Sequence, residues 1–196
     1  MLEVGCGKTG ELALLLAAAG HEVVAIDPRA PAGPIFRQVA LEDYDEDRTF
    51  DAAVCKRVLH HVEPLPPAVE KLARLAPVVL VEEFAHDRLD EPTRTWYEGQ
   101  YRLLSAAGVE PDGPPDLAHW REEHRDLHPA DVVLAALDAS FERTHYADRP
   151  YLYRWLRGPA TEELERALVD AGAIRPLGFR YAGTRTETTR SEANSR

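Results

Sequence analysis

The stretch that decides the fold is LEVGCGKTGELALLLAAAGHEVVAIDP, residues 2–28. Residues 2–4 have the composition of a strand end, and three glycines at 5–10 make a tight turn directly after it. Residues 11–19 favour a buried helix, and 23–26 form a second short apolar strand. Because the crossover between two such strands is right-handed, this stretch predicts a β-α-β unit with parallel strands.

Strand-like and helix-like segments continue to alternate along the chain. The sequence predicts further strands at 36–41, 50–55, 78–81, 141–146 and 174–183. It predicts further helices at 66–76, 129–140 and 161–171. Such alternation indicates an α/β fold, a doubly wound and mostly parallel sheet with helices on both faces.

Two segments interrupt this alternation. Residues 86–127 are rich in charge, aromatics and proline, and we interpret them as a helical insertion after the fifth strand, with helices near 91–107 and 117–126. Residues 184–196 lack a bulky apolar side chain and are expected to be a disordered tail. We therefore expect one domain over 1–183, in which 86–127 is a lid that contacts the acceptor.

Composition narrows the possible partners. The 196 residues carry 23 basic and 34 acidic side chains, a net charge of −11, which disfavours nucleic acids and anionic membranes. No apolar run reaches the roughly 18 residues that span a bilayer, and no signal peptide opens the chain. Two cysteines, Cys6 and Cys55, are too few for a disulfide framework or a four-thiolate zinc site. We expect a cytoplasmic protein that binds a small molecule, with no metal, nucleic acid or membrane.

The glycine turn indicates a nucleotide-like cofactor. Glycines between a strand and a helix let a ligand approach the backbone, and Asp27 at the end of the second strand can accept hydrogen bonds from a ribose. Both dinucleotides and S-adenosylmethionine bind to a site of this geometry. Glu3 favours the second, because that cofactor carries a sulfonium cation and an ammonium group. Lys8 argues the other way.

The motif LEVGCGKTG at 2–10 resembles the first motif of the class I S-adenosylmethionine-dependent methyltransferases (type 11/12-like). FDAAV at 50–54 and VLHHV at 58–62 resemble their fourth strand and the segment after it, and LGFRYAG at 177–183 resembles their last strand. The resemblance is strong over 1–85. It implies methyl transfer from S-adenosylmethionine to a small-molecule acceptor whose nucleophilic atom is undetermined.

The family pattern also implies which residues bind the cofactor. It puts the methionine moiety against the glycine turn, the ribose on the second strand, the adenine beside the loop after the third strand, and a closing segment after the fourth. Those positions are Glu3, Gly5, Cys6, Gly7, Gly10, Asp27, Pro28, Leu41, Glu42, Cys55 and Lys56. Ala40 stands where many members have aspartate, which puts the role of Glu42 in doubt.

A general base is needed only if the acceptor must lose a proton. His60, His61 and Glu83 are the candidate catalytic residues, because they follow strands at the edge where open α/β sheets bind ligands. Side-chain alternation turns one of Glu82 and Glu83 inward.

The aromatic residues of the predicted insertion are candidates for an acceptor pocket. Tyr97, Tyr101 and Trp120 are the predicted acceptor contacts. Three further histidines lack the close spacing of a zinc site and are interpreted as surface residues: His119, His124 and His128.

Met1 lies inside the first strand, whereas members of the resembled family have helices upstream of it. We therefore expect a chain truncated at its N-terminus, with poor stability and poor cofactor affinity. Two other functions remain open on the sequence alone. One is an NAD(P)-dependent oxidoreductase with the same glycine turn, and the other is a non-catalytic protein that only binds the cofactor.

Overall fold

The computed structural model describes residues 1–157 and 159–186. The strands are β1 Leu2–Val4, β2 Val24–Ile26, β3 Phe36–Arg37, β4 Ala53–Lys56, β5 Val78–Phe84, β6 Phe141–Arg149 and β7 Gly178–Arg185. The helices are α1 Glu11–Ala18, α2 Leu65–Leu75, α3 Glu91–Ala106, α4 Trp120–Glu123, α5 Ala130–Ser140 and α6 Pro159–Asp170. Short 3₁₀ helices occupy Leu59–His61, His86–Arg88 and Leu152–Trp155.

The seven strands form one sheet in the order β3-β2-β1-β4-β5-β7-β6. The pairs β1–β2, β2–β3, β1–β4 and β4–β5 are parallel, with Glu3 opposite Ala25 on one side and Val54 on the other. The predicted α/β fold with a mostly parallel sheet is confirmed. Because the strand order reverses at β1, the carboxyl ends of β1, β2 and β4 border the crevice where such sheets bind ligands.

The chain divides into two compact units, each described by itself. Among the described residues, unit 1 comprises 1–83, 131–146 and 180–186, and unit 2 comprises 84–130, 147–157 and 159–179. The predicted helical segment 86–127 falls within unit 2. None of the helices among the described residues is long and apolar enough to cross a membrane.

In unit 1, helices α1 and α2 show how burial follows from sequence. Apolar side chains at helical spacing bury one side of α2, at Leu65, Val69 and Leu72. The run of apolar residues in α1 is less buried than predicted, since Leu14 and Leu15 are 52% and 67% exposed. Ala13 is the residue of α1 that is fully buried.

Unit 2 has an aromatic core of its own. Phe84 stacks on Tyr151 with ring centroids 4.2 Å apart, and Trp120 meets Phe84 edge to face at 5.7 Å. The carboxylate of Glu165 accepts hydrogen bonds from the backbone N–H groups of residues 151, 152 and 153, at 2.8, 3.0 and 2.7 Å. Burial raises the pKa of this carboxyl. Its three hydrogen bonds anchor the 3₁₀ helix Leu152–Trp155.

Several predicted boundaries were wrong. β3 ends at Arg37 rather than 41, because Val39 and Asp43 turn back onto nearby carbonyls. α4 spans four residues, well short of 117–126. Thr184 and Arg185 lie in β7 rather than in the tail, and the Arg185 N–H donates to the Pro77 carbonyl at 2.8 Å. Thr186 follows β7, and its N–H donates to the Ser140 carbonyl at 3.1 Å, whereas residues 187–196 of the predicted tail lie outside the described residues.

Candidate cofactor site

The glycine turn bends through left-handed conformations. Gly5, Gly7 and Gly10 have φ of 80°, 63° and 60°, which side chains rarely adopt. A Cβ on Gly5 would lie 2.6 Å from Val58, so the backbone of the turn packs closely against the segment after β4. A Cβ on Gly7 would meet nothing within 4 Å. The turn therefore leaves open space beside Gly7, where a ligand can reach the backbone.

Asp27 lies at the end of β2 and faces the glycine turn. Its carboxylate accepts hydrogen bonds from the Gly7 N–H at 3.0 Å and the Arg29 N–H at 2.7 Å. An ionised carboxylate has about four lone-pair positions, so two remain for other donors. This arrangement can hold the two hydroxyls of a ribose.

A cleft of about 520 Å³ opens beside these residues in unit 1. Seven predicted site residues line it: Gly5, Gly7, Asp27, Pro28, Leu41, Glu42 and His61. Eight further lining residues were not predicted: Val4, Ile26, Arg29, Val39, Ala40, Arg57, Val58 and Val62. Val58 and Val62 could have been found from the VLHHV block, whereas no pattern in the sequence indicated Arg29 or Arg57.

Glu3 presents a buried carboxyl on β1. Its Oε2 atom has no hydrogen-bond partner among the described residues. Burial raises the pKa of this carboxyl, and a backbone hydrogen bond from Ala13 and then the charge of Lys56 oppose the shift. A buried oxygen without a donor suits a cationic group better than a pyrophosphate, so the residues present fit S-adenosylmethionine.

Five predicted cofactor residues do not line the cleft in the described structure: Glu3, Cys6, Gly10, Cys55 and Lys56. Gly10 lies against the Phe36 ring, and Cys6 packs in the cluster between α1 and the sheet. Burial raises the pKa of the Cys6 thiol to about 12, and it raises the pKa of the Cys55 thiol as well. Both thiols are therefore protonated at neutral pH. Lys56 is half-buried at the end of β4.

The three candidate catalytic residues lie in different environments. His61 is exposed and lines the cleft. His60 and Glu83 are buried and contact each other through His60 Nδ1 and Glu83 Oε2. Glu82, the neighbour on β5, is half-buried and paired with Arg180 at 2.8 Å. Glu83 is thus the residue that alternation turns inward.

The three predicted acceptor contacts all lie in unit 2. Tyr97 is fully buried, and its hydroxyl donates to the Pro114 carbonyl at 2.8 Å. Tyr101 packs against the same aromatic core. Trp120 lines a cavity of about 860 Å³ and donates from Nε1 to the His86 carbonyl at 2.8 Å. Of the three predicted residues, Trp120 is the one that borders this cavity.

The interpretation of three histidines as surface residues holds for His119, which is exposed, but His124 and His128 are half-buried. His124 stacks on Trp120 with ring centroids 4.3 Å apart. His119 and His124 both line the 860 Å³ cavity. Among the described residues, no three His, Cys, Asp or Glu side chains are grouped so that they could hold a metal ion.

Comparison with known proteins gives one family and one fold. The sequence profile of a family described as methyltransferase domain matches residues 1–103. No match is found among curated proteins.

Solved methyltransferase structures share the fold. An S-adenosylmethionine-dependent methyltransferase from Mesorhizobium loti has a TM-score of 0.58 at 16% identity, over 94% of this chain and 90% of that chain. Magnesium protoporphyrin IX methyltransferase from Synechocystis, with bound S-adenosylhomocysteine, has a TM-score of 0.53 at 18% identity, over 94% and 73%. The N-methyltransferase NodS from Bradyrhizobium japonicum, also with S-adenosylhomocysteine, scores 0.50 at 11%, over 94% and 76%.

Proposed function

The chain belongs to the methyltransferase-domain family and uses S-adenosylmethionine, and from that premise we propose that it methylates a small-molecule acceptor. The observation that carries the proposal is the cleft lined by Gly7 and Asp27, which are joined by a hydrogen bond of 3.0 Å, with the buried carboxyl of Glu3 two residues before the glycine turn.

The chain's own residues bind and orient in this proposal. S-adenosylmethionine, when bound, supplies a methyl group on a sulfonium that is already a good leaving group. The free lone pairs of Asp27 accept the ribose hydroxyls, and the carboxylate of Glu3 favours the cationic end. Gly7 leaves the backbone accessible. Val4, Ile26 and other apolar side chains of the cleft exclude water from this site.

Of the candidate bases, His61 is the one whose position in the cleft suits proton transfer. His61 is exposed and lines the cleft, and an imidazole can accept a proton from a hydroxyl or phenol acceptor. Glu83 and His60 are buried and do not line the cleft. We therefore keep His61 as the proposed base for acceptors that must lose a proton.

We further propose that unit 2 contributes the acceptor-binding residues. Its cavity of about 860 Å³ has the size of a small-molecule pocket, with Trp120 and His124 as aromatic walls. Arg94, Arg121 and Arg125 also line it. Glu91, which lines it too, forms an ion pair with Arg94. The rings of Trp120 and His124 favour a planar small molecule. The net charge of −11 disfavours nucleic acid.

A cytoplasmic location is proposed on separate grounds. Cys6 and Cys55 are buried free thiols, which suits a reducing compartment.

The cofactor is tested by isothermal titration calorimetry with S-adenosylhomocysteine and with NAD. We expect binding of S-adenosylhomocysteine and none of NAD. Asp27→Ala should weaken the binding of S-adenosylhomocysteine by about tenfold or more, because hydrogen bonds to a charged group are lost. The matched control is Asp47→Ala, an exposed aspartate outside the cleft. Binding of NAD alone would refute the proposal and favour the oxidoreductase.

The acceptor is tested with methyl-labelled S-adenosylmethionine and a small-molecule extract, followed by mass spectrometry. Label in a small molecule, absent with Asp27→Ala, supports the proposal. Label confined to protein or nucleic acid would contradict the small-molecule acceptor. Tight cofactor binding without any transfer would favour the non-catalytic alternative.

A further inference from the structure

One buried carboxylate organises the segment that follows β4. Glu83 is 1% exposed at the carboxyl end of β5. Its Oε1 atom accepts hydrogen bonds from the N–H groups of Val58 at 2.8 Å and Leu59 at 2.6 Å. Its Oε2 atom contacts Nδ1 of His60, a side chain that is also buried. Three successive residues are thus tied to one side chain on the neighbouring strand.

That segment forms a wall of the cofactor cleft. Arg57, Val58, His61 and Val62 all line it. Val58 is also the residue that meets the backbone of Gly5, where no Cβ would fit. The position of this wall therefore sets both the width of the cleft and the packing of the glycine turn.

The local backbone would not hold this position by itself. Arg57 has φ of 55°, a left-handed conformation that is strained for a residue with a side chain. Strained backbone persists where its surroundings over-determine it, and here the next two N–H groups donate to a charged acceptor. The Arg57 N–H itself donates to the Glu82 carbonyl at 2.7 Å.

We propose that Glu83 and His60 are a positioning pair that fixes this wall, and that Glu83 is not a catalytic base. The proposal rests on the methyltransferase function above, because the wall matters only if the cleft holds the cofactor. Glu83 is buried away from solvent, with both oxygens engaged by the segment. The His60 ring packs against the His61 ring, with centroids 4.2 Å apart, so that a fixed His60 also restricts the position of His61.

The test compares Glu83→Ala and Glu83→Gln by titration with S-adenosylhomocysteine and by thermal unfolding. Alanine removes the acceptor of both N–H groups, so we expect about a tenfold or greater loss of affinity. Glutamine keeps Oε1 as that acceptor and offers an N–H to His60, so affinity should return to within about threefold of wild type. A base that only removes a proton would leave this affinity unchanged in both variants.

A matched control separates positioning from general instability. Glu165 is an equally buried carboxylate that binds three backbone N–H groups in unit 2. Glu165→Ala should lower the melting temperature but leave the affinity of the cleft unchanged at temperatures where the protein is folded. Equal affinity losses in Glu83→Ala and Glu165→Ala would overturn the proposal.

A second measurement, amide hydrogen exchange, needs no cofactor. The wild-type chain should show strong protection at the Val58 and Leu59 amides, and Glu83→Gln should reduce that protection only slightly. Rapid exchange at both amides in wild type would overturn the positioning role. If wild type fails to bind S-adenosylhomocysteine while these amides stay protected, the proposed function fails and the anchoring of the segment by Glu83 stands.

Discussion

The Gly7 N–H donates to Oδ2 of Asp27 at 3.0 Å, which joins the turn after β1 to the end of β2. The other oxygen of Asp27 accepts from the Arg29 N–H, so the carboxylate is held in one orientation before any ligand arrives. Preorganisation of this kind lowers the entropy lost on binding. The contact also keeps the Gly7 backbone at the cleft, where the absence of a side chain leaves room for a ligand.

Gly5→Ala and Gly7→Ala should separate folding from binding. Gly7→Ala adds a side chain in open space, so we expect about 1–2 kcal/mol of destabilisation from the left-handed backbone. Because the new methyl group projects beside the cleft, affinity for S-adenosylhomocysteine should fall by about tenfold or more. Gly5→Ala would also meet Val58 at 2.6 Å, and overpacking adds about 1–3 kcal/mol to the same strain.

Urea unfolding measures the loss of stability and calorimetry measures the loss of affinity for S-adenosylhomocysteine, with Gly99→Ala as the control. Gly99 lies on α3, where a Cβ would meet nothing and the backbone is helical, so neither quantity should fall. Equal affinities for Gly7→Ala and wild type would show that the cofactor does not approach this backbone.

The residues nearest in sequence to the glycine turn were the easiest to predict. Glycine spacing, an acidic residue before it and Asp27 after β2 are local signals; Gly5, Gly7 and Asp27 line the cleft, whereas Glu3 is buried on β1 outside its lining. The wall of 57–62 was harder to interpret, because its position depends on Glu83, more than 20 residues away. A pairing of this kind has no local pattern, and a buried glutamate reads in sequence like a catalytic one.

The acceptor contacts were harder still. Tyr97 and Trp120 occupy one aromatic core, yet only Trp120 also borders the cavity. Which ring faces a cavity depends on tertiary packing of short helices, and α4 spans only four residues. Aromatic density predicted a pocket in this part of the chain but could not separate core from lining.

Glu3→Gln should reduce the preference for S-adenosylmethionine over S-adenosylhomocysteine. The two ligands differ by the sulfonium methyl and its positive charge, and the carboxylate of Glu3 attracts that charge in a buried setting. We expect the variant to weaken S-adenosylmethionine by about tenfold and S-adenosylhomocysteine by less, since charge-assisted contacts contribute roughly twice as much as neutral ones. Calorimetry with both ligands measures the ratio. An unchanged ratio would place the sulfonium away from Glu3.

The raised pKa of Glu3 predicts opposite pH effects on folding and on binding. The folded carboxyl holds its proton above the ordinary value of 4.5, so its contribution to stability is present below that pH. It is lost as the pH rises towards the raised pKa, because ionisation is penalised only in the folded state. A cationic ligand favours the ionised form, so affinity for S-adenosylmethionine should rise over the same pH range.

Urea unfolding and calorimetry from pH 5 to about 8, in wild type and Glu3→Gln, test this linkage. In Glu3→Gln, neither the free energy of unfolding nor the affinity for S-adenosylmethionine should show this pH dependence, since glutamine does not titrate. Parallel slopes in the two proteins would assign the pH dependence to other groups.

Tyr97→Phe should cost stability without affecting the cofactor. The buried hydroxyl donates to the Pro114 carbonyl at 2.8 Å, and its loss leaves that carbonyl without this donor. We expect about 1 kcal/mol of destabilisation, the usual contribution of one hydrogen bond. Tyr101→Phe, at a half-buried ring in the same core, is the matched control and should change stability little. Urea unfolding measures both, and titration with S-adenosylhomocysteine should give the wild-type affinity for each variant. A loss of cofactor affinity in Tyr97→Phe alone would show that this hydroxyl serves the cofactor site as well as the aromatic core.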